Sequence, residues 1–406
     1  MLGEADRSSV RTQVLIAGGG PTGMVAAYAL AKQGIAVHVI EAAAEIQQDM
    51  RASTFHPPTL EMMAALGLLP ELEAQGLRAP VYQYANRASG KHYALDMSDI
   101  ADKTAYPYRL QCEQYKLVRL IAAKLDKIPC ATVEFRRRMI HFEQDSAGVV
   151  AHAEGLVDLK EYRADYLIAA DGANSIARKW LGVGFDGFTY PESFLTLSTA
   201  YPIERHLPWV AGVNYVADPP AWCVLLRVPG LWRILVPQPE TISERELLSD
   251  ESKDAVFRQL LGADAPSIET HHRTVYRVHQ RVAKSFRSGR ALLIGDAAHL
   301  NNPLGGFGMN SGIHDAWNLS EKLIAILKEG ADADPLLDRF DRQRRTITNR
   351  FVQTQTIANK TALETIDGTA VREQQLEHLV NDRDARRSYL LSQSMITSLA
   401  DELEIA

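Results

Sequence analysis

Two glycine-rich turns in the chain could bind phosphate or a charged ring, and the first is "LIAGGGPTGMVAAY" at residues 15–28. Gly18, Gly20 and Gly23 follow an apolar run in the spacing G-x-G-x-x-G. There the first glycine permits a tight turn, the second lets a pyrophosphate approach the backbone, and the third lets a helix pack on the strand. Pro21 suits the first helical turn, and we predict that Pro21 and Thr22 also contact the cofactor. The stretch therefore predicts an adenine dinucleotide at a helix N terminus.

A carboxylate follows at the distance expected for a ribose ligand. Residues 35–40 predict a second strand, which ends at Glu41, about 20 residues beyond the glycines. We expect Glu41, with the adjoining Ala42, to contact the adenosine end of the cofactor.

The second turn, "ALLIGDAAHLNNPLGGFGMNSGIHDAWNL", carries chemistry for the far end of a long ligand. A strand over 291–294 runs into Asp296, whose carboxylate can bond a ribityl hydroxyl. Pro303 and three further glycines lead to a helix predicted to begin near Asn310. Free amides at a helix start can stabilise negative charge on a ring carbonyl oxygen. A ligand that uses both contacts must have a polyhydroxyl link and an electron-accepting ring. FAD has both, so the two turns together predict FAD.

Other apparent sites are weaker. Gly182, Gly184 and Gly187 repeat the glycine spacing but follow a helix-like stretch, so we predict a loop between domains. The 12 histidines show no chelating spacing, and we expect no metal.

Composition narrows the class of protein. The 406 residues suit two domains, and the net charge of −6 argues against nucleic-acid binding. No apolar run approaches the ~20 residues of a membrane helix, and the polar first dozen residues predict no secretion signal. The three cysteines, far apart in sequence, fit reduced thiols in a cytoplasm.

The pattern predicts an α/β fold: a Rossmann-like FAD-binding domain with an inserted β-sheet substrate domain and C-terminal helices. We assign residues 1–80, 101–184 and 285–345 to the FAD-binding domain and 81–100 and 185–284 to the substrate-binding β domain. Residues 346–406 form the predicted C-terminal helical segment.

The motifs resemble those of the class A flavoprotein aromatic monooxygenases, which have the para-hydroxybenzoate hydroxylase fold. "GGGPTG" (18–23), "DGANSIAR" (171–178) and "GDAAH" (295–299) stand in the order typical of that family. The resemblance covers roughly the whole chain. "RASTFHPPTLEM" and "LQCEQ" are most similar to short phenol and hydroxyphenylpropionate hydroxylases, and we expect no thioredoxin-like tail.

The resemblance implies cofactor contacts beyond those argued from the turns. Arg51 and Gln111 should lie on the pyrophosphate side of non-covalent FAD, and Asp296 near the ribityl or pyrophosphate region. The flavin ring should lie beside backbone amides of five consecutive residues: Gly306, Phe307, Gly308, Met309 and Asn310.

The "DG" motif has two interpretations. The resemblance assigns Asp171, Gly172, Ser175 and Arg178 to FAD and NAD(P)H binding, whereas Asp171 could equally cap the following helix. His299 we interpret as a core histidine. Asn302 and Phe307 depart from the family pattern near the ring, which leaves ring mobility and substrate shape open.

The implied activity is hydroxylation of a small phenolic or N-heteroaromatic substrate with O2 and NADH or NADPH, through a flavin C4a-hydroperoxide. The protein positions and shields the cofactor, which carries the chemistry. The alternative is an FAD-binding redox or halogenating protein of the same fold. A halogenase is disfavoured because "LWRILVP" lacks the second tryptophan of W-x-W-x-I-P. We expect a monomer or homodimer.

For the substrate pocket, Tyr215, Arg233 and Pro303 are candidates, with His56 as a possible base. Arg233 could pair with a substrate carboxylate or with a surface acid. Trp222 is more consistent with core packing.

Overall fold

Apolar runs build the first sheet, as expected for strands buried on both faces. The computed structural model describes residues 9–48, 50, 52–218 and 221–406. With strands and helices numbered along the chain, this eight-stranded sheet comprises β1 (Val10–Ala17), β2 (Val37–Glu41), β8 (Ala131–Phe135), β9 (Arg138–Gln144), β10 (Val149–Glu154), β11 (Leu159–Ala169), β17 (Arg287–Ser288) and β18 (Ala291–Leu293). The order β17-β18-β11-β1-β2-β8 has a parallel centre.

The register of this parallel centre brings the sequence motifs together. Ala17 of β1 pairs with both Ile40 of β2 and Ala169 of β11, and Ala169 also pairs with Leu293 of β18. The carboxyl ends of all four strands therefore lie at one edge, where parallel α/β sheets bind ligands.

A second eight-stranded sheet, mostly antiparallel, has the order β19-β16-β12-β15-β14-β13-β5-β6. Its strands are β5 (Val81–Asn86), β6 (Lys91–Asp96), β12 (Phe185–Thr199), β13 (Val213–Ala217), β14 (Cys223–Val228), β15 (Leu231–Gln238), β16 (His272–Ala283) and β19 (His299–Leu300). Neighbouring residues Phe194 and Leu195 belong to different apolar clusters, so both faces of this sheet are covered.

A small third sheet lies between the motifs and the second sheet. It consists of β3 (Thr54–Phe55), β4 (Leu77–Ala79) and β7 (Arg109–Gln111), with β7 in the middle. The helices among the strands are α1 (Pro21–Ala31), α2 (Pro57–Leu66), α3 (Leu69–Glu73), α4 (Gln114–Leu125), α5 (Ile176–Trp180), α6 (Glu244–Leu247) and α7 (Asp250–Leu261).

The chain after β19 is helical. It comprises α8 (Phe307–Glu329), α9 (Ala333–Ile347), a π-helical segment (Thr348–Gln353), α10 (Thr354–Glu364), α11 (Ile366–Asn381), α12 (Arg383–Gln393) and α13 (Ile396–Leu403). Short 3₁₀ turns occur at Met97–Ile100, Ile203–Arg205 and Gly295–Ala297. Within the described ranges, none of these helices has the length and apolarity to cross a membrane.

The structure confirms the predicted fold class and corrects two local predictions. The last motif helix begins at Phe307 rather than near Asn310. Gly187 is not in a loop but inside β12, where its φ of 141° and its approach to the Gln280 carbonyl leave no room for a Cβ. The predicted domain boundary at 345 falls inside α9, and the division into domains stays a prediction.

A buried histidine makes the fold sensitive to acid. His314 on α8 is 1% exposed and bonds the Thr59 hydroxyl of α2 at 2.9 Å. Burial, with a smaller contribution from Arg344, lowers the pKa of His314 to about 3. The unfolded chain therefore binds this proton from about pH 6.5 downward, whereas the folded chain does not.

We predict that His314 lowers the free energy of unfolding by up to about 1.4 kcal/mol per pH unit between pH ~6.5 and ~3. Urea denaturation of wild type and His314→Gln at several pH values measures this, and the variant should show a shallower loss below pH ~6.5. His378→Gln is the control, because that side chain is 63% exposed. Identical pH slopes for all three proteins would contradict the prediction.

Candidate active site

A cavity of about 370 Å³ opens at the carboxyl edge of the first sheet. Its walls come from the turn after β1, the end of β2, the start of α4 and the turn after β18. Of the predicted cofactor residues, it is lined by Gly20, Pro21, Thr22, Glu41, Gly172, Asp296 and Met309. We call it the nucleotide cavity.

The glycines of the first turn have separate physical roles. Gly18 has φ 110°, and a Cβ there would lie 2.2 Å from the Ala170 carbonyl oxygen, so β1 and β11 can approach only with glycine. A Cβ on Gly23 would lie 2.1 Å from the Gly18 oxygen. A Cβ on Gly20, by contrast, would meet no protein atom within 4 Å. Gly20 therefore leaves space for a ligand rather than for the fold.

Gly20 also begins α1 without a side-chain cap, and the first turn carries no acidic residue. The N-terminal amides of α1 thus have no side-chain cap from the helix itself, and the positive end of the helix dipole faces the cavity. Glu41 lies beside this turn and accepts hydrogen bonds from the amides of Gly19 at 2.6 Å and Ala43 at 2.7 Å. Ala43 lines the cavity, whereas the predicted Ala42 does not.

A second cavity of about 280 Å³ lies between the two large sheets. Ala52, Asp296 and Met309 line both cavities, which are therefore adjacent. We call this one the ring cavity. Its predicted residues are Tyr215, Arg233, Asp296, Pro303, Gly306, Gly308 and Met309.

The ring cavity contains the start of α8. Gly306 caps this helix with φ 72° and offers no side-chain hydrogen bond, so the first-turn amides have no side-chain acceptor there. Gly295 and Gly312 both pack against Thr22, where a Cβ would come within 2.9 Å and 2.5 Å of its hydroxyl oxygen. This close packing brings the N termini of α1 and α8 to one place.

The "DG" motif forms part of the cavity walls, since Gly172 lines the nucleotide cavity and Ala173 lines the ring cavity. Asp171 Oδ2 accepts hydrogen bonds from the amides of Ile176 at 2.7 Å and Ala177 at 3.1 Å, so the capping interpretation describes its contacts. Burial raises the pKa of this carboxyl. Arg178 donates to the carbonyls of Ala173 and Ala297, each at 2.8 Å, and so ties the "DG" and "GD" turns together. The amides of α5 are therefore occupied, unlike those of α1 and α8.

The structure does not support His56 as a base. His56 is fully buried and lines neither cavity. Its Nε2 lies 2.8 Å from the Gly305 carbonyl, which can only accept, so this nitrogen carries a proton and the ring holds the turn before α8. Burial, with a smaller effect of Arg109, lowers the pKa of His56 well below its usual range. The ring stacks on Phe307.

Three further predicted residues lie behind the cavity walls, and one lies outside the described residues. Gln111 is buried and accepts a hydrogen bond from the Thr54 hydroxyl at 3.0 Å. Asn310 bonds the His56 amide and the Thr54 carbonyl. The Phe307 side chain is in the core. Arg51 lies outside the described residues, so its predicted role stays a prediction.

Trp222 is 2% exposed and packs in the core, as its sequence context suggested. Sequence reasoning missed Ser53, Thr196, Tyr276 and His279, which also line the ring cavity. Their signal was weak, because each is a single polar residue in a strand or in the segment that leads into one.

The site fits FAD on its own geometry. Gly20 leaves open space at an uncapped helix start, and α8 presents a second uncapped start in the adjoining cavity. Between them lies Asp296, a carboxylate beside both cavities. A ligand with a pyrophosphate, a polyhydroxyl link and an electron-accepting ring matches this order of groups.

Comparisons with known proteins agree with this geometry. The sequence profile of a family described as "FAD binding domain" matches residues 11–355. Para-nitrophenol 4-monooxygenase from Pseudomonas sp. (strain WBC-3) is 33% identical over 383 residues, covering 93% of this chain and 94% of that protein. A 6-hydroxy-3-succinoylpyridine 3-monooxygenase from Pseudomonas putida (strain DSM 28022 / S16) is 31% identical and covers 83% of this chain and 85% of its own.

Among solved structures, p-nitrophenol 4-monooxygenase from Pseudomonas putida DLL-E4 superposes with a TM-score of 0.89 at 32% identity. The match covers 94% of this chain and 97% of that one.

We predict that Gly20→Ala folds normally but binds FAD at least ~10-fold more weakly, because the methyl group occupies the space through which the pyrophosphate reaches the backbone. Quenching of FAD fluorescence on titration with apoprotein measures the Kd. Gly34→Ala is the control: Gly34 has φ 78° and an open environment outside both cavity linings, so its substitution should cost about 1 kcal/mol of stability and leave the Kd unchanged. Equal Kd values for Gly20→Ala and wild type would contradict the assignment.

Proposed function

The chain belongs to the FAD binding domain family, and from this premise we propose how its two cavities serve an FAD-dependent aromatic monooxygenase. The enzyme hydroxylates an aromatic ring with O2 and NAD(P)H. The observation that carries our proposal is the adjacency of the nucleotide and ring cavities at Asp296 and Met309. One elongated cofactor can thereby reach from the β1 turn to the substrate.

In this proposal the first turn and Glu41 hold the adenosine and pyrophosphate end of FAD. Asp296 binds the ribityl or pyrophosphate region between the cavities. The amides at the start of α8, from Gly306 onward, lie beside the ring. When bound, FAD supplies the redox chemistry that passes electrons from NAD(P)H and activates O2. The chain itself binds, orients and shields.

The ring cavity has the size and character for a small aromatic substrate. Apolar side chains form much of its wall: Val224, Leu226, Leu235, Val278, Leu300 and Met309. A few polar groups interrupt this wall, as in most small-molecule sites. Tyr215 is 6% exposed and Arg233 is 5% exposed, so both would act with little screening by water.

We propose that Arg233 pairs with an acidic or strongly polar substituent of the substrate. Its Nη1 donates to Ser53 Oγ at 3.0 Å, which fixes the guanidinium at the cavity wall. A planar guanidinium recognises carboxylate-like groups with two parallel hydrogen bonds. The relatives named for nitrophenol and for a succinoyl hydroxypyridine suggest a phenol or hydroxypyridine with an electron-withdrawing or acidic group.

Pro303 and Gly306 form the part of the ring cavity that comes from the turn before α8. Asn302 holds this turn through two hydrogen bonds. Its backbone amide donates to Gln280 Oε1 at 3.0 Å, and its side-chain Nδ2 donates to the Thr356 carbonyl at 2.9 Å. A rigid turn keeps bulk water away from the reacting atoms, which the reaction requires.

Three further proposals concern the whole protein. We propose the division into an FAD-binding domain, a substrate-binding β domain and a helical segment, since the second sheet forms one wall of the ring cavity. We propose a cytoplasmic location, supported by the free cysteines at 112, 130 and 223. A monomer or homodimer remains our expectation for the oligomeric state.

The test is a panel of nitrophenols, hydroxypyridines and hydroxyphenyl acids, assayed for stimulated oxidation of NADH and NADPH by the FAD-loaded enzyme. We expect at least one ring to stimulate oxidation and to gain one oxygen atom from isotope-labelled O2, as measured by product mass. Arg233→Met should raise KM for acidic rings roughly 10-fold or more, with a smaller effect on neutral rings. Oxidation that no aromatic compound stimulates, or product oxygen that comes from water, would contradict the proposed function.

A further inference from the structure

Arg109 is a buried cation beside the ring cavity that no sequence motif marks. It is 1% exposed and lies at the start of β7 in the small sheet. Within the described ranges it forms no ion pair with a carboxylate, and its Nε and Nη2 have no hydrogen-bond partner. Buried charges are ordinarily paired, so this arrangement calls for a physical reason.

The neighbours of Arg109 are aromatic. Its guanidinium carbon lies 3.8 Å from the ring centroid of Tyr82, in a cation–π contact. Its Nη1 donates a hydrogen bond to the hydroxyl oxygen of Tyr215 at 3.0 Å. Tyr215 in turn lines the ring cavity, so a single side chain separates the buried charge from the proposed substrate.

The direction of that hydrogen bond determines what Tyr215 can do. Arginine has five N–H donors and no acceptor, so the Tyr215 oxygen must accept from it. The hydroxyl proton of Tyr215 then points elsewhere, and it meets no acceptor among the residues that the structure describes. Tyr84 stacks on the Tyr215 ring with centroids 5.3 Å apart and an interplanar angle of 20°, which holds the ring in place.

We propose that Arg109, acting through Tyr215, is a specificity-determining residue that orients the Tyr215 hydroxyl as a donor and selects ring substrates that present an ionised oxygen. The inference rests on the proposed function, and it names the oxygen that the ring cavity recognises. The Tyr215 hydroxyl accepts a hydrogen bond from the Arg109 cation. This makes the hydroxyl a stronger donor toward a substrate oxygen.

The charges around the cavity agree with this selection. Arg233 and Arg277 line the wall, Arg277 being paired with Glu240 at 2.8 Å, and Arg109 lies behind Tyr215. Asp296 is the carboxylate among the described lining residues. Burial, with a smaller effect of Arg109, lowers the pKa of His56 well below its usual range, which disfavours a third cation there. The two buried cations, Arg109 and Arg233, favour an anionic ring oxygen over a neutral one, because burial weakens the screening of their charges.

A purely structural role for Arg109 is the competing explanation. In that case the guanidinium would serve only to pack on Tyr82, whose own hydroxyl donates to the Gln393 carbonyl at 2.9 Å. The two explanations differ in what happens to a bound ligand, because packing alone does not distinguish a phenolate from a phenol.

The experiment uses 4-nitrophenol as the probe and the oxidised, FAD-loaded enzyme without NAD(P)H. The phenolate of this probe absorbs visible light and the neutral phenol does not, so a difference spectrum reports which form is bound. We compare wild type, Arg109→Met, Arg109→Lys and Tyr215→Phe. Tyr84→Phe is the matched control. It removes a hydroxyl that bonds Tyr389 at 2.7 Å and does not line the ring cavity, and it keeps the aromatic ring that stacks on Tyr215.

We expect wild type and Tyr84→Phe to bind the phenolate. Arg109→Met and Tyr215→Phe should bind it roughly 10-fold or more weakly and shift the bound probe toward the neutral phenol. Arg109→Lys should restore part of the phenolate signal, because it restores the charge without the planar guanidinium. If Arg109→Met fails to retain FAD, Tyr215→Phe tests the same hydrogen bond from the other side.

An unchanged phenolate fraction in Tyr215→Phe, or in an FAD-loaded Arg109→Met, would overturn the inference. So would wild-type enzyme that binds the probe only as the neutral phenol or does not bind it. Because no turnover is measured, aromatic-stimulated NAD(P)H oxidation in the same preparations would show that the proposed function survives such a result.

Discussion

The site depends on the parallel register of β1, β2, β11 and β18. Pairing of Ala17 with Ala169, and of Ala169 with Leu293, ends these strands at one level. The residues that follow them, from Gly18 to Asp296, then share one edge although they are almost 280 positions apart in sequence. Gly18 is a point of close approach between β1 and β11, since its contact with the Ala170 carbonyl excludes any side chain. Without that approach the β1 turn and the "DG" turn would separate.

A buried ionic network ties the second half of the site to the C-terminal helices. Asp315 Oδ2 accepts hydrogen bonds from the Gly295 amide at 3.0 Å and from His299 Nε2 at 2.8 Å, and its Oδ1 accepts from Arg344 Nε at 2.7 Å. Arg344 continues to Glu402 on α13. Burial alone would raise the pKa of the Asp315 carboxyl, but His299 and Arg344 outweigh it and lower that pKa. The "GD" turn is therefore fixed by residues that line neither cavity.

Sequence reasoning located the parts of the site that are local in the chain. Gly18, Gly20, Glu41 and Asp296 were found because a turn or a strand end has a short, readable pattern. The walls of the ring cavity were harder, because they depend on which strands of the second sheet become neighbours. Tyr215 and Arg233 were found there as candidates, whereas His279 was missed.

The role of His56 shows why contacts matter more than residue type. Its sequence position suggested a base, but the side chain is fully buried, lines neither cavity and donates its Nε2 proton to the Gly305 carbonyl, nearly 250 residues away. Arg109 could not be recognised from the sequence for the same reason. Its role depends on contacts with Tyr215 and Tyr82, which belong to other strands. Such pairings are set by tertiary packing, which no local pattern encodes.

Hydrogen exchange of the apoprotein with ADP and with FAD is the most direct test of one ligand spanning both cavities. ADP should protect the amides near residues 18–23 and 41–43 only. FAD should protect those amides and also the start of α8 near residues 306–310. Protection by FAD at only one of the two places, or no protection at either, would contradict the account.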